Sequence, residues 1–114
     1  SGIDLVLDTL GFEAQLQGAD CVFTGEGKID GQTPGGKVIA GIVRRARKAG
    51  VPVIAFAGAV RPGYEPLYEE GLLAVFGITP YPCELEQALR ESGANLSAAA
   101  ENAVRLFART APRT

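Results

Sequence analysis

Short apolar runs alternate with longer stretches of helical periodicity along this chain, the pattern of βαβ units feeding a parallel sheet. Ile3, Val6, Leu7 and Leu10 recur at helical spacing, and Ser1 stands where it would cap that helix. A short helical turn is predicted around Phe12 to Leu16, after Gly11. Cys21-Val22-Phe23 is a continuous apolar run between Asp20 and Thr24 that stops at Gly25, which predicts a strand buried on both faces. The stretch from Gly25 to Gly36 holds five glycines and one proline and is predicted to be a loop.

Beyond the loop, Val38, Ile42, Val43, Ala46 and Ala49 form one apolar stripe of a helix opening near Pro34 or Gly35. Arg44, Arg45, Arg47 and Lys48 load its last turns with cations, and Gly50 and Pro52 stop it. Val53 to Ala57 is the second predicted strand, Pro66 to Gly71 holds a short helix, and Leu73 to Gly77 is the third strand. Glu84 to Ser92 and a stripe of Leu96, Ala100, Ala103, Val104 and Phe107 predict two closing helices, with a frayed tail from Thr110. The expected fold is a three-layer αβα arrangement on a parallel sheet of about three strands with right-handed crossovers. Open parallel sheets usually carry more strands, so the remainder of a parent protein or a second copy is expected to cover a bare edge.

Composition narrows the function classes. The chain has 114 residues, 46% apolar and 21% charged, which fits one globular unit. A net charge of −2 gives no long-range attraction to nucleic acid or anionic membrane. No apolar stretch approaches the roughly 20 residues that cross a bilayer, and no secretory leader is seen. Cys21 and Cys83 lack metal-ligand spacing and read as free thiols of a cytoplasmic protein. There is no histidine, so proton transfer or metal binding must use carboxylates, hydroxyls, lysine or water. A first residue of serine is read as a processed or excised piece.

The candidate chemistry sits after the first strand, where open α/β sheets bind ligands. Glycines there let backbone N–H groups approach an anion, and the following helix would aim its positive end at the same space. Glu26 and Asp30 are hard oxygen ligands suited to Mg²⁺, usually through water, unless they are ordinary solvated acids. Lys28 and Lys37 suit phosphate oxygens. Thr33 either caps the helix before Pro34 or contacts ligand, and Gln32 is equally ambiguous. The Arg44–Lys48 cluster reads as a solvated helix face, Tyr64, Tyr68 and Tyr81 as packing residues with wet hydroxyls, and Asp4 and Asp8 as helix-stabilising or solvent-facing acids. Gly31 to Lys37 fits G-x-x-x-x-G-K, but Val38 replaces the Mg²⁺-binding Ser or Thr, and Gly31 lies seven residues past Thr24, too far from the predicted strand end for a phosphate-binding loop.

Gly25-Glu26-Gly27-Lys28-Ile29-Asp30-Gly31-Gln32-Thr33, followed by Gly36-Lys37, resembles the GEG-[KR]-x-D-x-QT-x-x-GK signature of the bacterial glycerate kinase family. The flanks Ser1 to Asp4, Ala19-Asp20 and Pro52 to Gly58 are similar too, and the likeness runs to about Phe107. The resemblance implies transfer of the γ-phosphoryl of ATP to D-glycerate with Mg²⁺, giving 2- or 3-phosphoglycerate. It implies Glu26, Asp30 and Lys37 as catalytic residues, with Glu26 and Asp30 toward the metal. Gly25, Gly27, Lys28, Gln32, Thr33 and Gly36 would bind substrate or nucleotide. It also implies the C-terminal part of a Rossmann- or flavodoxin-like domain built from both chain ends, without its N-terminal part or the inserted second domain, and inactive alone. The competing reading is a free-standing, non-catalytic anion-binding or interaction module.

Overall fold

The computed structural model describes residues 2–110, so the expected cap Ser1 and the tail at 111–114 lie outside the described residues. The elements in order are α1 (Gly2–Leu10), α2 (Phe12–Leu16), β1 (Val22–Ile29), a 3-10 turn (Thr33–Gly35), α3 (Val38–Lys48), β2 (Val53–Val60), α4 (Pro66–Glu70), β3 (Leu72–Gly77), α5 (Leu85–Arg90) and α6 (Ser92–Thr110). The three strands pair in parallel in the order β1-β2-β3, the expected α/β architecture.

β2 is the strand buried on both sides, and its alternation splits the core in two. Val53, Ala55 and Ala57 face Ile39, Ala40, Val43 and Ala46 of α3, with Leu67 and Leu72 closing that layer. Ile54 and Phe56 face Ala103 of α6, with Phe76, Ala100 and Phe107 packed around them. Ile29, Leu67, Val43 and Val53 are the largest fully enclosed side chains. Each contributes on the order of 1.5–3 kcal/mol by leaving water. The α6 layer is thinner: Phe23 and Leu73 on the sheet, and Val104 and Leu106 on the helix, stay 40–63% exposed.

Several sequence-based expectations change. β1 is an edge strand, so Val22 is only half-buried and Phe23 is exposed, contrary to burial on both faces. The strand does not stop at Gly25; it continues to Ile29, because Lys28 and Ile29 pair with Ala59 and Val60 of a β2 that is itself longer than expected. Glycines suit this stretch: a Cβ on Gly58 would lie 3.1 Å from the carbonyl oxygen of Gly27. Only Asp30 to Gly36 therefore remain as bend, turn and 3-10 structure. α3 begins at Val38, not near Pro34, because the 3-10 turn takes up Thr33–Gly35 first. Its buried face is Ile39, Ala40, Val43 and Ala46, with Ile42 half-buried beside it, so the predicted stripe holds at Ile42, Val43 and Ala46 while Val38 and Ala49 are exposed.

The basic helix end is not simply solvated. The Arg45 side chain is 15% exposed and reaches Asp8 and Glu13 at 2.6 Å and Asp4 at 3.6 Å, tying α1 and α2 to α3. That guanidinium holds the Glu13 carboxyl below its ordinary range, and the acids push Arg45 further up. Arg44 pairs with Glu70 at 3.2 Å, and Arg47 donates to the carbonyl of Glu69 at 2.9 Å. Tyr64 and Tyr68 pack edge-on at 5.8 Å. The exposed Tyr81 hydroxyl donates to Glu91, which lowers the Glu91 carboxyl and raises the phenol. Both cysteines are free and half-buried. No helix among the described residues is long and apolar enough to cross a membrane.

Candidate functional site

The signature residues meet at the carboxyl end of β1. Glu26 and Lys28 line the same concavity as the first residues of α3. A tight turn follows at once: the N–H of Asp30 donates to Thr33 Oγ1 at 3.0 Å, that of Gln32 to Asp30 Oδ1 at 2.9 Å, and that of Thr33 to the Asp30 carbonyl at 3.2 Å. Asp and Thr are residues whose short side chains mimic backbone partners in such turns. Thr33 therefore does not cap α3, contrary to that expectation, because its hydroxyl already accepts the Asp30 amide. Lys28 Nζ lies 3.5 Å from Asp30 Oδ2.

Lys37 occupies the position before α3, and no side chain caps that end. The first N–H groups of an 11-residue helix are thus open, and they face the same space as the Lys37 stem. The result is a concavity of about 280 Å³ lined by Glu26, Lys28, Asp30, Gln32, Thr33, Gly36 and Lys37, with Val38 and Ile39 as its apolar floor. Of the expected site residues, Gly25 and Gly27 stand outside this lining, as strand residues.

The loop is not a phosphate-binding loop of the G-x-x-x-x-G-K type, though one objection to that motif falls. β1 runs to Ile29, so Gly31 follows the strand by two residues and not seven. Val38 still stands where a metal-binding hydroxyl belongs, and none of Gly31, Gly35 and Gly36 has the positive φ from which an anion nest is built.

Two contributors escaped the sequence reading. Val38 and Ile39 supply the floor, and Pro62-Gly63 buttresses the loop from β2. A Cβ on Gly63 would lie 2.5 Å from Gly31 Cα, so the two backbones touch. The Pro-Gly pair after a strand was the available signal.

No group of three or more carboxylate, cysteine or histidine side chains that could hold a metal occurs among the described residues. Two carboxylates on one wall is nonetheless the donor set that Mg²⁺ takes when phosphates and water complete its shell.

The profile of the glycerate kinase family matches residues 1–108. A Bacillus cereus glycerate kinase is 44% identical over 101 residues, covering 89% of this chain and 26% of that protein. An Escherichia coli glycerate 2-kinase is 34% identical over 102 residues, covering 90% of this chain and 27% of its own. A crystal structure of a glycerate kinase 2 from Salmonella typhimurium LT2 superposes with a TM-score of 0.67 at 40% identity, covering 95% of this chain and 27% of that one. The chain thus spans about a quarter of the length of these relatives.

Proposed function

This chain belongs to the glycerate kinase family, and from that premise we propose that it forms one wall of the phosphoryl-transfer cleft of an ATP-dependent kinase acting on D-glycerate in the cytoplasm. The observation that carries the proposal is the convergence of the family-like signature on a single concavity at the carboxyl edge of the sheet.

Each residue has a role that its chemistry fits. Lys37 and the open amides at the start of α3 stabilise the charge that spreads over the transferring phosphoryl oxygens. Gln32 and the Gly36 backbone orient the phosphates by hydrogen bonding. The turn bonds of Thr33 hold Asp30, and Lys28 balances its charge. Glu26 and Asp30 are the carboxylates that would hold Mg²⁺, which when bound neutralises charge between neighbouring phosphate groups.

In this reading the residues are the C-terminal return into a domain built from both ends of a longer polypeptide, with a second domain inserted between them. The rest of that polypeptide covers the open edge of β1, supplies further substrate contacts and closes the cleft against water.

The test is mutational, on the whole kinase that contains these residues. Lys37→Ala is expected to lower kcat/KM about 10²- to 10³-fold, the scale of losing one charge-stabilising donor. Asp30→Asn should lower it and weaken the dependence on Mg²⁺. If both variants keep the parent's kcat/KM, the assignment is wrong.

A further inference from the structure

Beside the signature turn stands a second turn, at the end of β2. The N–H of Arg61 donates to the carbonyl of Ile29 at 2.8 Å, past the last paired residues of β1 and β2. Pro62 has no N–H with which to extend that ladder. Gly63, at φ 108, then approaches the signature turn so closely that a Cβ on Gly31 would stand 3.6 Å from Gly63 Cα and 3.7 Å from the carbonyl oxygen of Pro62.

Glu65 fixes this approach. It occupies the position before α4, yet its side chain caps none of that helix's open amides. The carboxylate turns back and accepts the N–H of Gly63, at 2.7 Å to Oε1 and 3.3 Å to Oε2. Gly31, the residue that Gly63 abuts, links Asp30 to Gln32, whose N–H donates to Asp30 Oδ1 at 2.9 Å. A shift of the Gly31 peptide therefore moves the donor that orients the Asp30 carboxylate.

We propose that Glu65 is a positioning residue for Asp30, acting through Gly63 and Gly31 from outside the lining of the concavity. The proposal rests on the kinase reading above where it takes Asp30 as the carboxylate toward Mg²⁺. Glu65 is also an anion, and an anion favours a nearby cation whatever it is bonded to. Glutamine separates the two effects, because it keeps an acceptor oxygen for the Gly63 N–H and loses the charge.

Backbone ¹⁵N spectra without metal, and Mn²⁺ titration followed by electron paramagnetic resonance, test it on the whole kinase that contains these residues. Glu65→Ala is expected to shift the Gly31 and Gln32 amides and to raise the Kd for Mn²⁺ about three- to tenfold, the scale of one lost hydrogen bond. Glu65→Gln should restore the parent's amide positions and Kd. Arg44→Ala, which breaks the 3.2 Å ion pair between α3 and α4, should leave the Kd as it was and so separates positioning from general loosening. Unmoved Gly31 and Gln32 amides in Glu65→Ala, a parent-like Kd in that variant, or a glutamine variant as weak as the alanine each overturns the role of Glu65. If Asp30→Asn binds Mn²⁺ as tightly as the parent, the metal reading of Asp30 falls, and the amide shifts alone then decide the contact chain from Glu65, so the two readings fail separately.

Discussion

Replacing Gly63 by alanine tests how the signature loop is held. Gly63 has φ 108, outside the range that side-chain-bearing residues adopt comfortably, and its N–H is fixed by the Glu65 carboxylate at 2.7 Å. Its new Cβ would fall 2.5 Å from Gly31 Cα and 3.0 Å from Gly31 N, both backbone atoms that cannot rotate away. Backbone strain costs on the order of 1–3 kcal/mol, and overpacking about 1–3 kcal/mol more. A total near 3 kcal/mol is a large part of the roughly 5–15 kcal/mol that holds a domain folded. With a urea m-value of about 1.5 kcal/mol/M, the unfolding midpoint would drop by about 2 M. Gly31→Ala is the control from the other side of the same contact. Gly31 has no positive φ, and its Cβ would meet Gly63 Cα at an ordinary 3.6 Å, so its cost is expected to stay within about 1 kcal/mol. Equal midpoints for the two variants would refute the idea that the Gly63 approach fixes the loop.

Three further outcomes follow from the contacts. Thr33→Val leaves the Asp30 amide without its 3.0 Å acceptor and should cost about 1 kcal/mol by urea denaturation, whereas Thr33→Ser keeps the parent's midpoint. Arg45→Met should flatten the acid limb of the stability profile. Glu13, held low chiefly by its bond to Arg45, stabilises the fold above about pH 4.5, and that contribution is lost as pH falls through its lowered folded value, so the variant should lose less stability on acidification. Tyr81→Phe should move the Glu91 carboxyl titration upward, read by carbon NMR of that side chain, because the phenol is the first cause of its depression.

The repeating architecture was legible because apolar runs and helical stripes report burial directly, as at Val53 to Ala57 and at Ala103. β1 was not, beyond Phe23. Glycine lowers local strand preference, and only the pairing of Lys28 and Ile29 with β2, some 31 residues away in sequence, overrides it. The start of α3 was misplaced for a related reason: proline and glycine signal a helix opening, and a 3-10 turn meets the same signal. Most of the site residues were legible because the signature is contiguous, so the turn that gathers Asp30, Gln32 and Thr33 is local. What joins the site from afar carries no periodic mark, as with Gly63 against Gly31. The anchoring of Arg45 by acids 32 to 41 residues earlier is equally invisible to local patterns.

β3 ends at Gly77, opposite Ala57, whereas β1 and β2 run on to Ile29 and Val60. Glu26 stands at the root of this two-stranded cantilever, Lys28 along it and Asp30 just past its tip, and Ile29, 1% exposed, is the bolt that fastens the tip to the α3 layer. Amide exchange should therefore divide along the Glu26–Ala57–Gly77 row, with the projecting part opening as its own unit before the three-strand base does. The wall that carries Glu26, Lys28 and Asp30 can thus loosen at this tip while the three-strand base of the sheet stays intact.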